Sequence, residues 1–335
     1  MKMKRFVAVV LVLVMALSLF ANGAKEIAQP QGKYAGRHLG LCWCSLGIEF
    51  YANLADLIKG QAEADGIKVT VTDANWDVSK QLSQLENLAT MGCTDIIIIP
   101  IDQDALRETL KNIRKNYGIN VHSFAYDFGG DIDCYDTVSV ADQYIIGKAQ
   151  ADAATAWVDK KYPNAAAGSI KVAMVTLPTT TDDKLRDSGC RDGIKADPRM
   201  KLVEEVEVFE QDYATAQNAL DSILLKHPDI NIVVFHFATM AEGADERAMT
   251  LTTIDKENFA IISGDNNRTL LDRIKNSRKG KSLVRGSGAY DVNATSKLYG
   301  ITMGEFADQI DAKKRFVFET YPITTDNVDQ FTANI

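Results

Sequence analysis

Ile96-Ile97-Ile98-Ile99, stopped by Pro100, is the segment that most restricts what this chain can become. Four β-branched residues without a polar position among them make a strand buried on both faces, and such a strand belongs inside a parallel sheet that carries helices on either side. The flanking sequence repeats that grammar. β-rich runs at 38–46, 68–73, 95–101, 120–126 and 137–141 alternate with amphipathic helical runs at 50–65, 79–91 and 104–115. Gly66, Gly92 and Gly118 follow those helices, where a left-handed residue is wanted before the next strand. A long helix over 143–160 leads into a second series. Its strands are expected at 171–177, 202–209, 231–237, 259–263 and 283–288, its helices at 183–195, 214–226, 240–251 and 269–275. One further helix over 292–311 and a strand over 316–320 close the pattern. The fold class is therefore α/β, with two similar doubly wound parallel-sheet units and no Pro/Ser-rich linker between them.

The length, 335 residues, has room for two such units, because a single core stops growing before about 300 residues. Apolar residues make up 46% and charged residues 24%, the balance of a globular chain rather than a disordered one. A formal charge of −8, with no basic block beyond the first five residues, argues against nucleic acid as a partner. Lys2, Lys4 and Arg5 precede an apolar run from Phe6 to Phe20 and the small residues Ala21-Asn22-Gly23-Ala24. This order reads as a secretory leader over 1–24, cleaved after Gly23 or Ala24, and the apolar run is shorter than the roughly 20 residues a membrane anchor needs. The expected location is outside the cytoplasm, periplasmic or at the cell surface.

Five cysteines, Cys42, Cys44, Cys93, Cys134 and Cys190, cannot all pair within one chain. Cys42 and Cys44 lie two apart in a strand-like run, a poor geometry for a mutual bridge, and no second pair at finger spacing accompanies them. Buried thiols are expected, with no metal and no cofactor. No phosphate-binding glycine loop, nucleophile elbow or zinc-protease helix motif is found, Gly286-Ser287-Gly288 is too short for a dinucleotide fingerprint, and the four histidines are scattered. In open α/β sheets ligands bind beyond the carboxyl ends of the strands, so those ends hold the candidate residues.

The stretches 40–51, Asn75-Trp76-Asp77 with the helix 81–92, "DIIIIPID" at 95–102, "HPDINIVV" at 227–234, Met240-Ala241-Glu242-Gly243-Ala244 and Ser263-Gly264-Asp265 occur in an order and spacing that resemble the ribose and galactose/glucose binding proteins of the type I periplasmic solute-binding family. The resemblance spans essentially the whole chain after the leader. It implies two lobes, 36–140 with 289–322 and 141–288 with 323–335, joined by crossings near Ala141, Gly288 and Ile323. It further implies a small polar ligand, a monosaccharide or related polyol, held between the lobes without chemistry. Implied partners are the membrane subunits of an ABC permease, and a chemoreceptor as a further one, with the protein itself a monomer.

Sugar recognition needs flat rings against the apolar faces of the ligand and paired polar groups for its hydroxyls. By resemblance Phe50 is the stacking aromatic of the first lobe and Tyr213 that of the second, with core packing as the competing reading of each. Arg186, four residues after Asp182, matches the polar clamp, against a surface ion pair. Asp265 ends a strand, and a helix cap is its alternative. Asp127 lies at another strand end, where Tyr126 competes for the position. Trp43 and Tyr51 stand between ligand contact and core. Ile48, Phe237 and Gly288 depart from the pattern, standing where related binders place hydrogen-bonding side chains, which leaves open how hydroxylated the ligand is. A rival reading is an exported glycosidase or esterase that uses two of Asp127, Asp182 and Asp265 as acid and base. A ligand sensor without a transport role is a third. A repressor-type sensor lacks support, because no helix-turn-helix precedes the α/β region.

Overall fold

Alternate residues of the central strands enter two different cores, and that is what makes this a doubly covered sheet. The computed structural model describes residues 32–290 and 292–331, so the expected leader over 1–24 lies outside the described residues. These residues form two compact units that divide in sequence at His122/Ser123. Among the described residues, twelve strands form two six-stranded sheets.

The first sheet contains β1 (His38–Trp43), β2 (Lys68–Asp73), β3 (Asp95–Ile98), β4 (Asn120–Phe124), β5 (Thr137–Val140) and β11 (Arg315–Val317), in the order β11-β5-β4-β3-β1-β2. β1 pairs in parallel with both β2 and β3, and β11 with β5. Every residue of β1 and β3 is buried, as the isoleucine run requires, whereas the edge strand β2 is partly exposed. Helices α1 (Glu49–Ala64), α2 (Val78–Thr90) and α3 (Gln103–Asn112) connect the strands. Asp77 and Asp102 cap α2 and α3 through their carboxylates. α3 continues into a wider π turn over Ile113–Tyr117 that ends at Gly118, whose φ is 65°.

The second sheet contains β6 (Ile170–Thr176), β7 (Met200–Glu207), β8 (Ile232–Phe235), β9 (Ala260–Gly264), β10 (Val284–Tyr290) and β12 (Thr320–Thr324), ordered β12-β10-β9-β8-β6-β7. β12 is antiparallel to β10, and the other pairings are parallel. Val172, Met174, Ile232, Val234 and Ile262 pack on one face beneath α4 (Gln143–Lys161) and α5 (Thr181–Ala196). Ala173, Val175, Val233, Phe235 and Ile261 pack on the other, against α6 (Tyr213–Lys226), α7 (Ala238–Thr250) and α8 (Arg268–Ser277). A period of two in the strand thus feeds two helical layers.

α4 and α5 touch through glycine. A Cβ built on Gly147 would lie 1.9 Å from the carbonyl oxygen of Arg186, and one on Gly189 would lie 2.0 Å from that of Tyr144. Backbone meets backbone at this crossing, so neither position tolerates a side chain.

Three expectations are corrected. The helix expected over 292–311 is broken into a 3-10 turn (Val292–Lys297), the short α9 (Leu298–Thr302) and a second 3-10 turn (Ala307–Gln309). Gly304, at φ 81°, ends α9 in the left-handed conformation that a helix cannot continue. The strand expected over 316–320 is two strands in two sheets, because β11 ends at Val317 and β12 begins at Thr320. Gly288 and Ile323 lie inside β10 and β12, so the passages between sheets fall after Tyr290 and at Phe318–Glu319 rather than at those residues. α10 (Val328–Phe331) ends the described chain.

All five cysteines are buried. Burial pushes the thiol of Cys42 up to about 12 and those of Cys44 and Cys93 to about 11, and raises that of Cys190 as well. A maleimide at pH 7 should therefore leave these four unlabelled in the native protein and label them in urea; labelling of the folded chain, read by mass spectrometry, would contradict their burial. Gly189→Ala should destabilise the second unit by about 1–3 kcal/mol in urea unfolding, since the added methyl meets backbone that cannot move aside.

Candidate functional site

Each sheet gathers polar and aromatic side chains at the carboxyl ends of its strands. In the second sheet the assembly begins with the loop after β6. Thr180 caps α5: its hydroxyl accepts the N–H of Asp183, and the Asp183 carboxylate accepts the N–H of Thr180 at 3.0 Å and the hydroxyls of Thr179 and Thr180 at 2.6 and 2.8 Å. This capping box fixes the first turn of α5, and with it Asp182, Arg186 and Asp187.

Arg186 is only 5% exposed. Its Nη1 donates to Oδ2 of Asp265 at 3.0 Å and to the carbonyl of His236 at 3.2 Å, and its Nε and Nη2 donate to Oε1 of Gln143 at 3.0 and 2.6 Å. The ring of Phe237 lies over the guanidinium, 4.8 Å from its carbon to the ring centroid. One cation of α5 therefore ties the ends of β8 and β9 to the first turn of α4.

Asp265 has a φ of 58°, left-handed and uncommon for a residue with a side chain, though Asp tolerates it better than most. Its N–H donates to Gly288 O at 3.1 Å, and its own carbonyl accepts the hydroxyl of Ser287. Those bonds pin the backbone so that the carboxylate meets Arg186. The half-buried Asp265 is thus part of an ion pair and does not serve as the cap of α8, a role taken by Asn267, which accepts the N–H of Leu270 at 2.8 Å.

His236 is 2% exposed and lies between two carboxylates, with Nδ1 2.7 Å from Asp187 Oδ1 and Nε2 3.3 Å from Asp183 Oδ1. Burial alone would lower its pKa, but the bonds to Asp183 and Asp187 outweigh it and raise the value. Burial likewise opposes ionisation of Asp183, yet hydrogen bonds from His236, Thr179 and Thr180 hold its carboxyl well below the usual carboxylate range. Asp182 moves the other way: protein crowding and then the negative charges around it raise its pKa. Tyr213 donates its hydroxyl to Oε2 of Glu242 at 2.6 Å, and burial with that bond pushes its pKa to about 12. Its polar end is thus committed to α7.

In the first sheet Trp43 is fully buried, its indole N–H donating to the carbonyl of Tyr51 at 2.8 Å. Trp43 offers no surface to a ligand in this conformation and instead holds the turn from which Phe50 and Tyr51 project. Phe50 is 37% exposed, with its ring 5.6 Å from that of Tyr51. Tyr126 and Asp127 follow β4 after Ala125, whose φ is 73°. Ser123 donates its hydroxyl to the Tyr126 carbonyl at 2.6 Å, and Asp127 accepts the N–H of Gly129 at 3.0 Å.

Two residues were not singled out from the sequence. Gln143 and His236 carry no motif, and only the fold brings them to Arg186. Trp76 follows β2 beside Asn75, both with positive φ, and is 56% exposed. The exposed indole belongs to the second of these two left-handed residues, within the stretch Asn75-Trp76-Asp77 already quoted from the sequence. The departures at Gly288 and Phe237 also acquire a reason. A Cβ on Gly288 would lie 2.2 Å from the Gln150 nitrogen of α4, leaving no room for a side chain, and Phe237 covers the guanidinium. Ile48 precedes α1 and makes no side-chain cap. Among the described residues no group of three or more His, Cys, Asp or Glu is placed to hold a metal ion, and no helix is long and apolar enough to cross a membrane.

The family model for the periplasmic binding protein domain matches residues 39–282. The ribose import binding protein RbsB of Bacillus subtilis is 27% identical over 284 residues, covering 82% of this chain and 86% of that protein. Among solved structures, the periplasmic ribose ABC transporter protein of Conexibacter woesei superimposes with a TM-score of 0.71 at 18% identity, over 91% of this chain and 97% of the other. The Caulobacter myo-inositol binding protein, solved with myo-inositol, gives 0.64 at 23% identity over 89% and 97%.

The Asp183–His236–Asp187 cluster makes a signed prediction. A histidine whose folded pKa lies above its unfolded value adds stability that is complete below about pH 6.5 and is lost as pH rises through the folded value. The stability difference between wild type and His236→Gln in urea should therefore shrink as pH is raised from 6 to 9. A difference that stays constant or grows would show that His236 folds neutral.

Proposed function

Because the chain belongs to the periplasmic binding protein family, we propose that it is an exported solute-binding protein that captures a small neutral polar ligand, a monosaccharide or cyclic polyol, and delivers it to an ABC permease. It binds its ligand and does not turn it over. The observation that carries this reading is the Arg186–Asp265 pair, braced by Gln143 and the His236 carbonyl at the carboxyl ends of β8 and β9, where α/β sheets receive ligands. The named specificities of the similar proteins, ribose and myo-inositol, support the same ligand class.

In this reading each sheet is the centre of one lobe, the chain passing between them after Tyr290 and at Phe318–Glu319, and the ligand is held between them. Arg186, Asp265 and Asp182 bind its hydroxyls from one side and Asp127 from the other, while Phe50, Tyr51, Tyr126 and Tyr213 supply ring faces, and Trp43 supports the first of these from below. Closure on the ligand creates the surface that the permease, and a chemoreceptor as a further partner, recognise. The protein acts as a monomer outside the cytoplasm after loss of its leader.

A binder should melt higher with its ligand, by mass action on the folded state. D-Ribose or myo-inositol at millimolar concentration should raise the melting temperature, and neither should be consumed on long incubation; turnover of a sugar or glycoside would support the hydrolase reading instead. Asp265→Ala should weaken binding by roughly 10- to 100-fold, the effect of removing a charge-assisted hydrogen bond. Arg186→Ala should do the same and also lower stability, because it strips four bonds from the strand ends. Unchanged affinity in both variants would refute this site.

A further inference from the structure

The four bonds that Arg186 makes leave it with little to offer, and the identity of its partners decides what kind of ligand it can read. A guanidinium has five N–H donors. Nε and one Nη2 hydrogen are taken by the single amide oxygen of Gln143, and the two Nη1 hydrogens by the His236 carbonyl and Asp265 Oδ2. One Nη2 donor remains. The Nε/Nη2 fork is one edge on which a carboxylate or phosphate forms two parallel bonds, and the amide oxygen of Gln143 sits across it. The other fork, Nη1 with Nη2, has its Nη1 side filled.

Gln143 is held for this task. Asp142 caps α4 by accepting the N–H of Ile145 at 3.1 Å, which sets Gln143 in the first turn. Its amide nitrogen points to the Ala141 carbonyl at 3.5 Å, so that the oxygen turns to Arg186. Charge leads to the same end. Asp265 already matches the positive charge of Arg186, and Asp182 and Asp183 add negative charge in the first turn of α5.

We propose that Gln143 is a specificity-determining residue: by closing the Nε/Nη2 fork of Arg186 it leaves one donor for a single hydroxyl or ring oxygen, so the site takes uncharged polyols and rejects sugars that carry a carboxylate or phosphate. The inference rests on the proposed function and narrows its ligand class. Gln143 acts through Arg186 and is a positioning residue, since nothing requires it to touch the ligand.

Calorimetric titration of the purified full chain with D-ribose, myo-inositol, D-glucuronate and D-ribose 5-phosphate tests it, with melting curves confirming that each variant is folded. Wild type should prefer the better neutral ligand over either acid by roughly a hundredfold or more. Gln143→Leu opens the fork, and the ratio of neutral to acid affinity should fall by about tenfold, with the acids gaining. Gln143→Glu restores an acceptor across the fork and should return the preference to wild type or beyond. Equal weakening of all ligands in Gln143→Leu would make the residue merely structural and overturn the proposal, as would tight binding of either acid by wild type. If wild type binds the neutral ligands and Asp265→Ala binds them equally well, the ligand site itself is misassigned. If wild type binds none of the four, the solute class of the proposed function falls, and this inference with it.

Discussion

A buried guanidinium is the constraint on which the carboxyl edge of the second sheet depends. Removing a positive charge from water costs several kcal/mol unless a counter-charge and hydrogen bonds replace the solvent. At Arg186 the replacements come from the first turn of α4, the end of β8 and the end of β9, three segments far apart in sequence. Buried ion pairs add little net stability, but breaking one is expensive, so the pair works chiefly as a device for geometry. The strand ends must keep their positions or leave the cation unpaired.

That geometry is reached through close backbone approaches. Gly147 and Gly189 let α4 and α5 meet without side chains between them, and Gly264 lets the end of β9 approach the carbonyl of His236, where a Cβ would come within 2.2 Å. The same tight packing leaves no room for a side chain at Gly288. Around Arg186 four of the five guanidinium donors are committed to acceptors of the protein, and one N–H remains.

The first sheet contributes in a different manner. Its strand ends carry rings rather than a cation: Phe50 and Tyr51 beside a buried Trp43, and Trp76, itself the second of two consecutive left-handed residues. Left-handed backbone at a residue with a side chain costs on the order of 1 kcal/mol or more, and such strain is commonly retained where a side chain must be aimed.

The sequence by itself determined the α/β alternation, the buried isoleucine strand, the glycine caps and most element positions to within two or three residues. These are written in local periodicity, and each run of residues carries its own evidence. It also placed Arg186, Asp182 and Asp265 at strand and helix ends through a family resemblance. Tertiary structure alone decided the rest. Gln143 and His236 become partners of Arg186 only because α4 packs on α5 and the sheet sets the end of β8 beside them, a relation that leaves no trace in spacing along the chain. The broken helix after residue 291 and the split of the last strand between two sheets have the same origin: where a segment serves two sheets, long-range pairing outweighs local pattern. What a side chain touches is set by which backbones the fold brings within reach, and that is a property of the whole chain.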